Sequence, residues 1–266
     1  MTADAKSNAF NISVATVMIG PMDQVKDLTP EEHSIGLVKN FSMSNTLNYV
    51  ELTSGLHGDV VDSQATSSDT SASCEVYEYT PENVAYALGL EGSGYTANGK
   101  FKVKTKAEGG STTVEIEADT DPSVKFPTGQ TIMIQATYSK NFDRVLMRKV
   151  ASCTWADGTL TITLDKEIPT AWTVSAGDRV IVSNFIPVGT EDAQPYFGCK
   201  VVGILPNDNV PVVLILPKVR ITNGFSIGFS TDDYQNMPFE ITPYKLVPGD
   251  ALYDEHKNDG FAFVEM

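Results

Sequence analysis

The sequence predicts an all-β protein with one short helix, and three observations support this fold class. The segment CEVYEY (Cys74–Tyr79) alternates apolar and polar residues with the period of two that a half-buried strand needs. Residues 160–164 (LTITL) alternate in the same way directly after Asp157-Gly158, which is typical of a β-hairpin. One segment alone, Thr80–Leu90, has the capping residues of a helix. With 266 residues, the chain is long enough for two domains.

The first part of the chain contains several extended segments. We expect strands over Asn11–Ile19 (NISVATVMI), Ile35–Asn40 and Leu47–Leu52, the last two separated by a turn at Ser44-Asn45. LTPEEHS, from Leu28, predicts a single helical turn. His57–Ser73 has almost no large side chains, so we expect a long loop that is functional or is ordered by a neighbouring subunit.

The helix and the closing strands follow from local signals. Thr80 is a suitable cap, Pro81 suits the first helical position, and Val84 and Leu88 fall on one face. The near-continuous apolar runs over Val201–Leu205 and Val210–Leu216 predict buried strands. A terminal hairpin is expected from Phe225–Phe229 and Phe239–Val247, joined by an acidic connection.

The segment from Phe101 to Pro195 has a different texture. It is rich in hairpin signals, contains both tryptophans, Trp155 and Trp172, and is nearly neutral, with 10 Lys+Arg and 12 Asp+Glu. We interpret it as a β-sandwich domain inserted into another β-sandwich or barrel-like domain. The expected division is 1–99 and 196–266 for the outer domain and 100–195 for the insertion.

Charge and cysteine content restrict the function classes. The formal net charge is −15, and 9 basic and 22 acidic residues lie outside Phe101–Pro195. Strong binding to nucleic acid phosphates requires the opposite sign. The three cysteines, Cys74, Cys153 and Cys199, form no CxxC pair and are expected to be buried and reduced. The N-terminus resembles no secretory signal and no run of 18 apolar residues occurs, so we expect a protein made and used without Sec export.

No segment predicts catalysis. GxSxG and HExxH are absent, and the glycines of GLEGSGYTANG do not follow the order of a phosphate-binding loop. The carboxylate pairs Asp119/Asp121, Asp232-Asp233 and Asp254-Glu255 lack the spacing of a calcium loop and are interpreted as solvated turns. We therefore expect no catalytic, cofactor-binding or metal-binding residues, no cofactor, and a structural or binding role.

Two segments carry a resemblance to a known family: CEVYEYTPENVAYALGL, from Cys74, and KVRITNGFSIGFSTDDYQNMPFEITPYKL, from Lys218. Their order resembles the tail tube (major tail) proteins of bacteriophages with long non-contractile tails. In that family a tyrosine-bearing strand leads into a short helix, and a late strand leads to the closing strand. The likeness covers about residues 10–95 and 200–247.

This resemblance implies a structural subunit of the virion. Family members assemble as stacked hexameric rings whose lumen conducts double-stranded DNA, and they meet a tape measure protein and tail terminator or tip proteins. The implied location is the phage tail, after assembly in the host cytoplasm. The insertion departs from the minimal family pattern, because added domains usually follow at the C-terminus; here it is expected to project from the outer wall.

Acidity fits such a conduit, because a negative lumen repels phosphate and lets DNA slide. Asp232, Asp233 and Glu240 are the carboxylates that we would first expect to face it. The alternative is a carbohydrate- or cell-surface-binding β-module of a virion or fibre, which predicts a small oligomer. A third class, an all-β lyase or esterase, is disfavoured because this sequence has no nucleophile–base signature. Contractile tubes share the fold of tail tube proteins, so the resemblance to a tube does not by itself decide the type of virus.

Overall fold

The structure is a computed structural model that describes residues 15–55, 58–95, 99–135, 144–189, 194–204, 210–230 and 232–265. Within these residues the strands are β1 (Ala15–Pro21), β2 (Val38–Ser54), β3 (Asp59–Val76), β4 (Lys100–Thr105), β5 (Thr113–Glu117), β6 (Thr131–Gln135), β7 (Val145–Ala156), β8 (Thr159–Leu164), β9 (Arg179–Val182), β10 (Phe197–Ile204), β11 (Pro211–Asn223), β12 (Met237–Pro243) and β13 (Phe263–Glu265). The α-helices are α1 (Pro30–His33), α2 (Pro81–Ala87) and α3 (Tyr253–His256), and 3-10 turns span Met22–Asp27, Gly92–Gly94 and Ser123–Lys125. All strand pairs are antiparallel, which confirms the all-β class with few helices.

The chain divides into two compact units. Met1–Gly94 and Val188–Met266 form the main domain, and Tyr95–Pro187 forms the inserted domain. The sequence-based boundaries were residues 100 and 195. In the main domain, Gly89 has a positive φ and lies directly against the Gln194 side chain, so the segments leading into and out of the insertion are neighbours there.

The main domain is one seven-stranded sheet. Its strand order is β1-β10-β11-β12-β3-β2, with β13 paired to the first half of β11. The segment before β2 joins the two sides of the sheet, because the Ile35 N–H donates to Val17 O and the Tyr77 N–H donates to Leu37 O. The sheet therefore curls around its core at this end, in agreement with a barrel-like domain.

Strand β11 explains the near-continuous apolar run that the sequence displays. Leu214 and Leu216 pack into the main core. Ile215 packs on the opposite face against Val25, which lies in the 3-10 turn, and Leu28, which follows that turn. Both faces of this strand are covered, so both sets of alternating residues are apolar. The predicted buried strands are confirmed, and the turn predicted between them lies outside the described residues at 205–209.

Helix α2 covers the open side of the main core. The Thr80 hydroxyl accepts the Asn83 N–H at 3.1 Å and Pro81 occupies the first turn, as predicted. The helix packs mainly through Tyr86 and Ala87, with Val84 only partly buried. Tyr86 meets the Phe197 ring edge-on at 5.2 Å between centroids, an arrangement that aromatic pairs favour.

The inserted domain is a closed six-stranded barrel of order β4-β5-β8-β7-β6-β9. Strands β6, β7 and β8 follow one another as hairpins, and β9 returns beside β6, which is Greek-key connectivity. The predicted hairpin at Asp157-Gly158 is confirmed: both residues have positive φ, 47° and 72°, as a two-residue type I′ turn requires. The sequence predicted two packed sheets for this domain. Its six short strands instead form one closed barrel, and a closed barrel has no edge strands.

Three sequence expectations on the main domain are wrong. Ser44 and Asn45 form no turn but lie within the continuous strand β2. Residues 59–73 of the predicted loop belong to strand β3, and residues 56–57 lie outside the described part. Phe225–Phe229 forms no strand, so β12 pairs with β11 and β3 rather than closing a terminal hairpin. Residues 11–14 of the predicted first strand are outside the described residues, while α1 confirms the helical turn.

The two domains have separate cores, and this predicts separate unfolding transitions. Phe126 and Phe239 are fully buried in the inserted and main domains, respectively. We expect Phe126→Ala to lower the free energy of unfolding of the inserted domain by about 3–5 kcal/mol and leave the main domain unchanged, and Phe239→Ala to do the reverse.

The chain contains side chains that report on each of the two unfolding transitions. The two tryptophans lie in the inserted domain, so intrinsic fluorescence follows that domain alone. Cys74 and Cys199 are buried in the main domain; burial raises the pKa of the Cys74 thiol to about 12 and raises that of Cys199 as well, so their labelling by a thiol reagent follows main-domain unfolding. Equal shifts of both signals by either substitution would show one cooperative unit instead.

Candidate assembly surface

A two-stranded ribbon extends the main sheet beyond its neighbours. Strand β12 pairs with β3 only from Ala72 to Val76, whereas β2 continues to pair with β3 down to Ser54 and Asp59. Among the residues that the structure describes, no third strand therefore pairs with residues 44–54 or 59–71. At about 3.4 Å per residue this ribbon is roughly 35 Å long. We call it the β2–β3 ribbon.

The distal half of the β2–β3 ribbon exposes large apolar side chains. Its exposed fractions range from 49% to 64% for six residues: Leu47, Tyr49, Val50, Leu52, Val60 and Val61. Alternation along β2 places Leu47 and Tyr49 on one face, and Val50 and Leu52 on the other. A ribbon of two strands has too little surface to bury such residues itself, so its distal half is suited to contact with another molecule.

A ladder of small polar side chains begins at the base of the ribbon and overlaps its apolar stretch, because the ladder reaches Asn48, one residue beyond Leu47. Hydroxyl pairs join Ser42 to Ser73 and Ser44 to Ser71, each at 3.2 Å. Farther out, the Asn48 amide donates to Ser67 at 3.0 Å and to Asp69 at 2.8 Å. Asn45 accepts from Ser68 and Thr70 on the other face. These cross-strand hydrogen bonds hold the ribbon straight without apolar packing.

The ladder continues into a broad polar face of the sheet. Alternation in β12 buries Met237, Phe239 and Ile241 and turns Glu240 and Thr242 outward. On the same side, Thr222 of β11 meets Thr242 at 3.1 Å. We define the polar face by these outward residues of β11 and β12 together with Ser42, Ser44, Thr46, Asn48, Ser67, Asp69, Ser71, Ser73 and Glu75.

The polar face is negatively charged. Asp69 and Glu240 are exposed, and hydrogen bonds from Asn40 and Tyr77 lower the pKa of Glu75, so that its carboxylate is ionised at neutral pH. Across its whole sequence the main domain has 24 Asp+Glu and 8 Lys+Arg, a formal net of −16, and the inserted domain has 10 and 11, a net of +1. The acidity of the chain therefore belongs to the main domain alone.

A second exposed element lies between β11 and β12. Ile227 is 51% exposed, Phe229 is 99% exposed and Tyr234 is 89% exposed in an irregular segment. The Tyr79 hydroxyl lies 2.9 Å from Ser226 O and 3.1 Å from Asn236 O, and so holds the two ends of the segment together. In the alternating FSIGFS segment Phe225 packs partly against the main core, whereas Ile227 and Phe229 are exposed, and the segment forms no strand.

The acidic residues singled out by sequence do not come together. Glu240 lies on the polar face, whereas Asp232 and Asp233 lie in the irregular segment. The other pairs serve local structure: the Asp121 carboxylate caps Ser123, and Glu255 pairs with Lys26 at 2.5 Å. Among the described residues no group of three His, Cys, Asp or Glu side chains is arranged to hold a metal ion.

Sequence reasoning missed the β2–β3 ribbon, although a signal for it exists. Residues 59–76 contain neither glycine nor proline, and the glycines that flank the turn, Gly55 and Gly58, both have positive φ. The absence of chain breakers over 18 residues favours a long strand even where serine and threonine replace large β-formers.

A buried ion pair lies near the end of the main sheet. Lys218 Nζ contacts Asp250 Oδ2 at 2.8 Å, with side-chain exposures of 6% and 13%. The Tyr196 ring lies 4.4 Å from Lys218 Nζ and 4.0 Å from the Arg220 guanidinium carbon. Burial raises the pKa of the Asp250 carboxyl, but hydrogen bonds from Lys218 and the Val247 N–H outweigh it and hold that pKa below its ordinary value.

No family model matches the chain, and no curated protein is significantly similar to it. None of the described helices is long and apolar enough to cross a membrane.

The Lys218–Asp250 pair predicts a pH-dependent stability. Asp250→Asn leaves Lys218 buried without a carboxylate, and we expect it to lower the free energy of unfolding of the main domain by about 3 kcal/mol at pH 7. Because the folded pKa of Asp250 is depressed, its stabilisation is present above the unfolded pKa of about 3.9 and is lost as the pH falls through the folded value.

Denaturant titrations followed by circular dichroism between neutral and strongly acidic pH measure this effect, because thiol reagents need the thiolate and react poorly in acid. The difference between wild type and Asp250→Asn should shrink to near zero below the folded pKa of Asp250. Asp254→Asn, which changes an exposed carboxylate of α3, is the matched control and should differ little from wild type. A difference that does not vary with pH would contradict the assignment.

Proposed function

We propose that this chain is a structural subunit of a phage tail tube, assembling as stacked hexameric rings that conduct DNA into the host. The observation that carries the proposal is the β2–β3 ribbon, which extends from a sheet whose outward face is polar and acidic. The sequence resemblance described above supplies the family, and three physical arguments support it.

The first argument is that the ribbon requires a partner, and every copy of the chain can supply one. Burying the exposed halves of its six apolar side chains contributes roughly 1 kcal/mol each, or on the order of 6 kcal/mol per copy. Association costs about 4–15 kcal/mol, so one ribbon contact alone is too weak to hold two subunits together. Several simultaneous contacts, as in a closed ring with a ring stacked upon it, overcome this cost.

The second argument concerns the polar face. Small hydroxyl and amide side chains make up most of this face, together with the carboxylates of Asp69, Glu75 and Glu240. The exposed Lys39 lies opposite Glu75 and offsets only part of this negative charge, so the face as a whole repels phosphates. Such a face is suited to line a lumen through which duplex DNA moves without adhering. Sheets of neighbouring subunits, placed side by side, would make this lining continuous.

The third argument is the division of charge between the domains. A net charge of −16 on the main domain and +1 on the inserted domain fits a tube wall that repels DNA and an appended domain that does not line it. We place the inserted domain on the outer wall, where a contractile sheath would otherwise lie, so the tail is non-contractile. The remaining partners are a tape measure protein and tail terminator or tip proteins.

A shortened ribbon tests the assembly role. We expect a variant in which Asn-Gly replaces residues 47–68, so that a two-residue turn joins the paired residues Thr46 and Asp69, to fold normally but to form no rings or tubes. Circular dichroism and thiol labelling report folding, and negative-stain electron microscopy reports assembly.

Point variants separate the apolar contact from the length of the ribbon. Leu52→Ser combined with Val60→Ser should weaken assembly strongly, whereas Val124→Ser, which removes a 92% exposed valine of the inserted domain, should not. Normal tubes from the shortened variant would refute the role of the ribbon. A wild-type protein that forms neither rings nor tubes under any condition would refute the proposed function itself.

Charge reversal tests the conduit. Asp69→Lys with Glu240→Lys on the polar face should permit assembly but cause tubes to retain duplex DNA, with retention falling as salt rises, because each new cation binds a phosphate. Glu31→Lys with Glu32→Lys on α1 is the matched control with the same change in net charge. Asp232→Lys with Asp233→Lys tests the irregular segment separately.

The readout is the fraction of a duplex fragment that sediments with assembled tubes over a series of salt concentrations. Equal retention by the polar-face and α1 variants would remove the polar face from the lumen. In reconstituted tails, the polar-face variant should also slow genome ejection.

The second candidate is a carbohydrate- or cell-surface-binding β-module of a virion or fibre. A basic groove on the inserted domain favours it. This candidate predicts a discrete oligomer with no open-ended stacking, so the same micrographs discriminate between the two.

A further inference from the structure

The inserted domain has one groove of a size suited to a ligand. Its volume is about 630 Å³, which is within the range of small-molecule sites. The start of β6 and the first half of β7 line the groove, together with the segments that follow β8 and β9. The side chains used below are Met147, Arg148, Lys149, Asp165, Lys166 and Phe185.

Three cations converge on this groove. The Arg148 guanidinium donates from Nε and one terminal nitrogen to Glu167 O, at 3.3 and 2.9 Å, and from the other to Met147 O at 2.8 Å. These backbone carbonyls fix its plane but leave its charge without a carboxylate partner. Lys149 and Lys166 are exposed, and the salt bridges of the described residues include neither. The described lining of the groove therefore has three cationic side chains and one carboxylate, that of Asp165, and is positive on balance.

An apolar surface borders these cations. Phe185 is 83% exposed and Met147 is 58% exposed, whereas Phe101, Phe126, Trp155 and Trp172 of the same domain pack on its core. An exposed ring beside cations presents a negative face to the weakly positive C–H groups of a ligand. The combination suits a flat ligand that has both an apolar face and an acidic substituent.

Asp165 adds an acceptor with a fixed orientation. One carboxylate oxygen accepts the Lys149 N–H at 2.9 Å, and the Asp165 N–H donates in turn to Lys149 O. The carboxylate is therefore held at the groove, and among the described residues no hydrogen bond or ion pair engages its second oxygen. A phosphate placed against this carboxylate is repelled by it, whereas a ligand hydroxyl donates a hydrogen bond to it.

We propose that this groove binds an acidic saccharide. Phe185 stacks on the C–H face of a sugar ring, Asp165 accepts one of its hydroxyls, and Arg148, Lys149 and Lys166 bind the carboxylate, sulfate or phosphate that it carries. Single-stranded nucleic acid fits less well, because it needs successive aromatic platforms and the groove has one exposed ring. The site goes beyond the tube function and does not rest on it, since every residue lies within the inserted barrel.

Titration calorimetry of the full chain with oligogalacturonate tests this assignment, with maltohexaose, oligo(dT) and an oligoglutamate peptide as comparison ligands. We expect saturable binding of oligogalacturonate that weakens with salt, and no binding of maltohexaose. Lys149→Gln with Lys166→Gln should weaken binding about tenfold, as the loss of two exposed ionic contacts predicts. Phe185→Ala should weaken binding while leaving the salt dependence unchanged.

The matched control is Lys102→Gln with Lys104→Gln, which removes the same charge from exposed positions on β4 outside the groove. It should bind as wild type does. Tryptophan fluorescence unfolding verifies that each variant retains the barrel. Absence of saturable binding, equal weakening by the control pair, or tighter binding of oligo(dT) or oligoglutamate than of oligogalacturonate would each overturn the proposal.

Discussion

The register of β3 against its two neighbours is the constraint on which the rest of the main domain depends. Residues alternate faces along a strand, so a slip of one residue would exchange the two faces completely. In the observed register Ala72, Cys74 and Val76 enter the core, and Ser71, Ser73 and Glu75 join the polar face. Pairing with β12 fixes this register from one side because Phe239 and Ile241 share the same core. The pairing with β2 then carries this register outward as far as Asn48 and Ser67, beyond which extra residues in β3 shift it.

Local signals in the sequence were sufficient where a few neighbouring residues decide the structure. The Thr80 cap, the Asp157-Gly158 turn and the doubly buried β11 each depend on short-range chemistry, and each was predicted correctly. The ribbon was not predicted because its strands depend on pairing with residues about 20 positions away in the sequence. Ser, Thr and Asp by themselves have only weak preferences for the strand conformation. The strand prediction after Gly224 was wrong for the opposite reason. The alternation of Phe, Ile and Phe is typical of a strand, but among the described residues no neighbouring strand pairs with this segment. The barrel closure of the insertion is likewise a tertiary property, since alternating strands are compatible with both a sandwich and a barrel.

Only part of the candidate surfaces could be predicted from the sequence. The acidity of the main domain could be counted, but the face that bears Asp69 and Glu240 emerges only when β2, β3, β11 and β12 lie side by side. The basic groove had no sequence signal at all. Arg148 and Lys149 lie on one strand, Lys166 follows the next, and Phe185 follows a third, so only the closed barrel brings them together.

A long edge strand is a hazard for any soluble subunit, since unpaired N–H and C=O groups invite pairing with other chains. The composition of the ribbon limits this hazard. Register shifts opposite Asn48 and Leu52 place an extra residue in β3 and interrupt its regular pairing, and polar side chains occupy the half nearest the sheet. Apolar residues are confined to the distal half, where they lie on faces rather than along the edge. Contacts through these faces are directional and depend on matching side chains, whereas strand addition along the edge would be possible in many registers. The distribution of residues along the ribbon therefore favours one defined association over indiscriminate pairing, which is the property that a regularly repeating assembly requires.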